Sequence, residues 1–422
     1  MKKYHKKRIY GTALFCLFSL AGCGGGGGTN LLPLAFGSLL TPTVDYTEIL
    51  EYSANNVITP SLDDLETNTL ALKNAADTYN SSKSSGDLPS LQTAWRNARA
   101  SLKKAEVFYF GPADLPNSKS YYTKMDGFEK AGARPSWSAV SQVIANTATA
   151  PSCPAATITS TALQSCAYKY KGFEALEMLI FSADGAHPET VADNTSIHNA
   201  NTATPRRFDY IQALAELIHQ DALALQTEWS VSGGNFKGNF INGTGTYFRN
   251  QGEAFDKYVQ SIGNVSYQME DVKIAAPACL NKSCTTGLNT SNPVLSEAIY
   301  ARNAYKDLYN NLLSLEFAYL GNISDPDNKS LSLMVAAQNP GMDTNIKSAI
   351  TDLKNSLTSK IGAPKDLYAE IALDGGTVGS GSNVESQVKP LWQLALTLKT
   401  YLTIYAFSVL GVPNLPSPND GD

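Results

Sequence analysis

The stretch Leu88–Phe110, LPSLQTAWRNARASLKKAEVFYF, decides how the rest of the chain is read. Leu91, Trp95, Ala98, Leu102 and Ala105 recur at steps of three and four residues, which places them on one face of an α-helix. Gly111-Pro112 then stops it, because glycine tolerates the left-handed turn after a helix and proline cannot continue one. The same periodicity predicts helices over 208–229, where Ile211, Leu214, Ile218, Ala222, Leu225 and Trp229 form a stripe, over 295–320 before Gly321, and over 386–410 before Gly411-Val412-Pro413. Strand-like alternation is scarce and short. The expected fold class is therefore all-α, built as two helical bundles with long loops.

An internal echo bears on how the bundles arose. Glu106-Val107-Phe108-Tyr109-Phe110-Gly111 resembles Glu316-Phe317-Ala318-Tyr319-Leu320-Gly321, and each closes a long amphipathic helix. A duplicated up-down bundle would leave this trace; so would chance, since aromatic-rich helix ends before glycine are common. The expected division is an N-terminal bundle to about residue 200 and a C-terminal bundle over 206–410. Segments 113–136, 182–206 and 230–250 are rich in Gly, Asn, Ser, Thr and Pro and read as loops, and 411–422 reads as a flexible tail.

Residues 1–22 have the form of an export signal. Lys2, Lys3, Lys6, Lys7 and Arg8 precede an apolar run from Thr12 to Ala21, about half the length a bilayer-spanning helix needs. The run ends in Leu20-Ala21-Gly22-Cys23, small residues before a cysteine whose sulfur can carry lipid. Gly24 to Gly28 then open a glycine-rich leash over 23–45. The expectation is a bacterial lipoprotein cut before Cys23 and held on a membrane by lipid there. Gly24, where an aspartate would signal inner-membrane retention, directs the expectation to the outer membrane.

Charge narrows the partners. All five basic residues before Cys23 are lost on cleavage, so 33 Lys+Arg become 28 against 38 Asp+Glu, a balance of 28 − 38 = −10. An acidic domain is a poor match for nucleic acid or for adsorption to anionic lipid. Four cysteines beyond Cys23 fall into close pairs, Cys153 with Cys166 and Cys279 with Cys284. In an oxidising compartment these read as disulfides; three connectivities exist, and the near-neighbour one closes the smallest loops.

The chemistry concentrates in Tyr168–Phe181, YKYKGFEALEMLIF. Glu174 and Glu177, three residues apart, share a helix face otherwise surrounded by apolar residues. A buried carboxylate pair is costly unless matched by a metal, a shared proton or an arginine such as Arg99, Arg206 or Arg207. His187 and His198 lie in polar segments. His219, near Glu216 and Asp209 on the 208–229 helix, either faces Glu174 and Glu177 or belongs to an exposed polar face. No HExxH, GxSxG or phosphate-binding GxxxxGK[ST] is present.

Several blocks together resemble the imelysin family of exported helical proteins, first classed as metallopeptidases and often linked to iron. They are Trp95-Arg96 with Arg99, Glu106 and Phe108–Pro112; Gly172–Phe181; Arg206–Tyr210; Ser296–Tyr300 with Asp307; and the closing Leu410–Pro413. Gly172 and Glu177 match the family's GxHxxE signature, but Glu174 stands where it has histidine. The resemblance implies a metal site at Glu174 and Glu177, with iron as the candidate metal; Glu106, an acid near the end of a buried helix by the Gly-Pro turn, is placed to reach the same cleft as a further ligand. Two carboxylates suit iron, manganese, calcium or magnesium better than zinc. The expected function is binding of a metal ion or metal-bearing ligand in iron acquisition, beside a transporter. The alternatives are a metallopeptidase with Glu177 as ligand or general base, and a non-catalytic interaction module.

Overall fold

A computed structural model describes residues 45–114, 119–126, 134–146, 153, 157–280, 290–361, 365–376 and 378–413. The signal segment, Cys23, the glycine leash, Cys284 and the tail beyond Pro413 lie outside the described residues. Eight helices carry the architecture: α1 (Thr59–Ser82), α2 (Leu88–Ala105), α3 (Gly172–Ile180), α4 (Arg206–Trp229), α5 (Gln251–Tyr267), α6 (Ala304–Leu320), α7 (Pro340–Ile361) and α8 (Lys389–Thr400). The described residues form no β-sheet, so the fold is all-α. No helix among them is long and apolar enough to cross a membrane.

α1 packs on α2 and α4, and α3 lies against α4 and α2. α6 packs on α7, α7 on α8, and α5 against α6 and α8. The two groups meet where α2 lies along α6. α4, assigned above to the second bundle, thus belongs to the first: its stripe of Ile211, Leu214, Ile218 and Leu225 is buried, and its main neighbour is α1. The echoing segments end α2 and α6, the second helix of each bundle. One continuous core runs from Ile49 to Val412, so the unit Val44–Asp422 carries its own hydrophobic interior.

Three helices continue from a preceding helical turn and carry a proline as their second residue, and each join is built alike. Pro60, Pro277 and Pro390 directly follow wide π turns, Ala54–Ile58, Gln268–Ala275 and Val384–Val388. Proline lacks the N–H that an α-helix needs and its ring crowds the preceding turn; a widened turn relieves both. Hence the rods continue where a break would be expected.

Other differences have local causes. The helix predicted from Leu295 begins only at Ala304, because Ala298 and Arg302 adopt positive φ. Each segment read as a loop contains a short helix: Tyr121–Asp126, Asn194–Ala203 and Phe236–Asn242. The last of these drives Phe236 against Gly111, which has φ +60°; a Cβ there would lie 2.1 Å from the Phe236 ring. Glycine at that stop is required by space as well as by φ.

Candidate functional site

α3 is short and buried on every side, so its two carboxylates must be satisfied from within. Lys171 precedes it in extended conformation and Gly172 has φ +85°, which turns the chain sharply into the helix. Glu174 is 6 % exposed and faces Arg134, whose Nε donates to Oε2 at 3.2 Å while a second guanidinium nitrogen donates to Oε1. Arg134 also donates to the carbonyls of Leu295 at 2.8 Å and Ser296 at 3.3 Å. A planar guanidinium fits a carboxylate two-pronged, and this one ties α3 to the 295–303 segment as well.

Glu177, 2 % exposed, holds the same segment by a different route. Its Oε1 accepts from the backbone N–H of Tyr300 and of Ala301, both at 2.8 Å. The Tyr300 hydroxyl donates to the Gly185 carbonyl at 2.5 Å. The strained turn at Ala298–Arg302 is what points two successive amides at one oxygen, and it explains why helix α6 starts late. Burial pushes the Glu177 carboxyl up to about 8; the Ala301 amide and Arg99 oppose this, and Glu174 adds to it.

That shift has a sign. Between the ordinary glutamate value and about 8 the folded protein holds a proton that the unfolded chain has released. The group's contribution is therefore full below the unfolded pKa and is lost as pH rises through about 8. Glu177→Gln keeps an oxygen for both amides and cannot ionise. Its urea midpoint should rise relative to wild type from pH 5 to pH 9, by the equivalent of about 2 kcal/mol or more. Parallel pH profiles for the two proteins would contradict the assignment.

Beside α3 the two bundles share an ionic core. Arg99 is wholly buried; its Nε donates to Asp307 Oδ2 at 2.6 Å and NH1 to Asp126 Oδ1 at 3.3 Å, with Glu297 at 3.7 Å. Lys103, one turn on, lies 3.0 Å from Glu297 and 3.3 Å from Asp126. Lys273 donates to both oxygens of Glu106 at 2.7 and 2.8 Å and to Asn311 Oδ1 at 2.7 Å. Asn311 in turn donates to Glu106 Oε2 at 2.8 Å. Burial alone would raise Glu106, but Lys103 and Lys273 hold it well below the usual carboxylate range.

The structure thus brings Glu174 and Glu177 into one buried region but gives them different partners. Glu106 belongs to the ionic core. Arg99 serves that core and not the Glu pair directly; Arg206 donates to the carbonyls of Ile144 and Val143, and Arg207 to those of Ala183, Leu179 and Ser182. Arg134 was missed because it sits in a Gly- and Pro-containing segment with no helical phase. Arg99 and Lys103 carried a signal: they follow Leu91 and Trp95 at steps of four, in phase with the buried stripe.

His219 turns away from α3, toward Thr69 at 3.4 Å and Glu66 at 4.0 Å on α1. His198 approaches the Tyr79 hydroxyl at 3.1 Å, and His187 the Glu189 carboxylate at 2.8 Å. Cys153 and Cys166 form a disulfide with Cα atoms 4.7 Å apart. Cys279 is also disulfide-bonded, and Cys284 lies outside the described residues. Among the described residues, no three of His, Cys, Asp and Glu converge as a metal site would require. With both Glu174 oxygens on Arg134 and Glu106 on Lys273 and Asn311, the expected donor set does not fit a resident ion.

Two helical bundles, joined through a buried ionic seam and clasping a short glutamate-bearing helix, define an all-α class of protein. The chain belongs to the imelysin family: the Imelysin (peptidase M75) family model matches residues 58–376. It is 22% identical over 351 residues to Iron-regulated protein A of Synechococcus elongatus, covering 80% of this chain and 85% of that one. An iron-regulated protein A precursor from Parabacteroides distasonis shares the fold with TM-score 0.64 and 18% identity, over 86% of this chain and 95% of that one. An imelysin-like protein from Psychrobacter arcticum does so with TM-score 0.61 and 15% identity, over 87% and 97%.

Proposed function

We propose that this protein is an envelope-anchored lipoprotein that serves iron acquisition by binding a metal-bearing ligand rather than a bare ion at α3. The observation that carries the choice is the two-pronged hold of Arg134 on Glu174, which occupies both oxygens of the expected first ligand. Glu177 is engaged through Oε1, which accepts from both the Tyr300 and Ala301 amides. Their shared task is to fasten α3 to the 295–303 segment, and through it to the second bundle. The iron link rests on family membership and on the printed name of the Synechococcus relative. A general base at Glu177 would need open access to substrate, whereas the residue is 2 % exposed.

Lipid on Cys23 would hold the domain at the outer membrane on its glycine leash, near a transporter that receives the iron. The full-length chain should incorporate labelled palmitate in a bacterial host and Cys23→Ala should not; label retained by the variant removes the anchor from this reading. Ligand binding is tested by titrating the Val44–Asp422 unit with ferric citrate and with haemin. Saturable binding of either supports the reading, and failure of both contradicts it.

A further inference from the structure

Where the echoing helix ends meet, a groove of about 510 Å³ opens between the bundles. One wall is the start of α1 with Lys104 and Phe108 at the end of α2. The other is the last turns of α6, from Leu313 to Gly321, with Lys354 of α7 at the rim. The volume is that of a small-molecule site, and the walls are largely apolar, with Phe108, Phe317 and Leu320 among them. Consecutive lysines separate the groove from the ionic core: Lys103 is wholly buried there, while Lys104 lines the groove.

Two polar groups in the groove are unspent. Ser314 is 4 % exposed, and its hydroxyl has no hydrogen-bond partner. Such a group costs about 1–3 kcal/mol unless something bonds to it. Lys354 is matched by Glu316 at 2.6 Å, but among the described residues Lys104 has no carboxylate partner. Asp64, the other acid of the lining, is exposed on the α1 wall, where water screens it. A half-buried cation, an orphan hydroxyl and aromatic walls together fit one kind of occupant.

We propose that this groove is a ligand site for a small carboxylate with an apolar, aromatic-sized body. The carboxylate lies against Lys104, the body packs along Phe108, Phe317 and Leu320, and a rotation of the Ser314 side chain lets its buried hydroxyl donate to the ligand. The site is independent of α3 and of any iron-bearing ligand, so its test stands apart from the reading above.

The test titrates the Val44–Asp422 unit with naphthalene-2-carboxylate by calorimetry at low salt, with its neutral analogue 2-naphthalenemethanol alongside. One saturable site is expected for the acid, with the alcohol bound about tenfold more weakly or not at all. Lys104→Gln should weaken the acid about fivefold and flatten the salt dependence. Ser314→Leu, which fills the groove, should weaken it more than about tenfold. Circular dichroism checks the fold of each variant, and Lys104→Gln, on a partly exposed side chain, keeps the test valid should Ser314→Leu fail to fold. Absence of a saturable site, equal binding of acid and alcohol, or wild-type affinity in a folded Lys104→Gln protein would each overturn the proposal.

Discussion

Replacing Arg99 by leucine should destabilise the protein by about 3–5 kcal/mol, the range for removing one partner of a buried ion pair. Leucine suits a helix and the apolar surroundings, so neither propensity nor overpacking is the cause. The cost arises from Asp307, Asp126 and Glu297, which lie 2.6, 3.3 and 3.7 Å from the guanidinium and would lose their shared cation, Asp307 at a wholly buried position. Lys103 stays near Asp126 and Glu297, but among the described residues Asp307 keeps the Asn303 side-chain amide, at 2.7 Å, as its close neutral donor. A whole domain is stable by only about 5–15 kcal/mol, so the urea midpoint should fall steeply. Arg99→Lys retains the charge yet cannot span three carboxylates and should fall between. A loss under about 1 kcal/mol for Arg99→Leu would mean the ionic core is not holding the bundles together.

Lys273→Met should have the second-largest effect, about 3 kcal/mol at neutral pH. It leaves Glu106 with Lys103 at 3.4 Å and the Asn311 amide at 2.8 Å, in place of two short bonds to one ammonium. The pH dependence distinguishes lost charge from lost packing. A carboxylate held low in the fold contributes stability above its unfolded value, which is lost as pH falls through its folded value. Lys273 is one cause of that depression, so the gap between wild type and Lys273→Met should narrow as the solution is acidified. Glu106→Gln combined with Lys273→Met should cost less than the sum of the single changes, because no unmatched charge remains. A gap independent of pH, with additive double-variant behaviour, would assign the effect to packing.

How much of this was readable in advance depends on where the information lies. The helices over 88–110, 208–229 and 386–410 were legible because each carries its own apolar stripe and its own glycine or loop stop. The late start of α6 was not, since Ser296–Asn303 has helix-compatible residues and is drawn into a turn by Glu177, over a hundred positions earlier. The short helices at 121–126, 194–203 and 236–242 are too brief for periodicity to register, and their tertiary neighbours stabilise them.

The site divides in the same way. That Glu174 and Glu177 are buried could be read from Phe173, Leu176, Leu179 and Ile180 around them. Their partners could not, because Arg134 and the Tyr300 and Ala301 amides come from segments without phase. The in-phase placement of Arg99 and Lys103 on the stripe of Trp95 was the one local sign of a charged interior. The same echo that hinted at duplication marks where the two bundles leave a groove.

Glu174 and Glu177 are held by Arg134 and by the Tyr300 and Ala301 amides, so no ion is expected on them. The deciding measurement is metal analysis of the purified Val44–Asp422 unit beside its Glu174→Ala, Glu177→Ala double variant, after equilibration with ferrous iron and removal of free metal. The account predicts the same metal load in both, with a lowered urea midpoint in the variant. One equivalent of iron in the wild type that disappears from a folded double variant would contradict it.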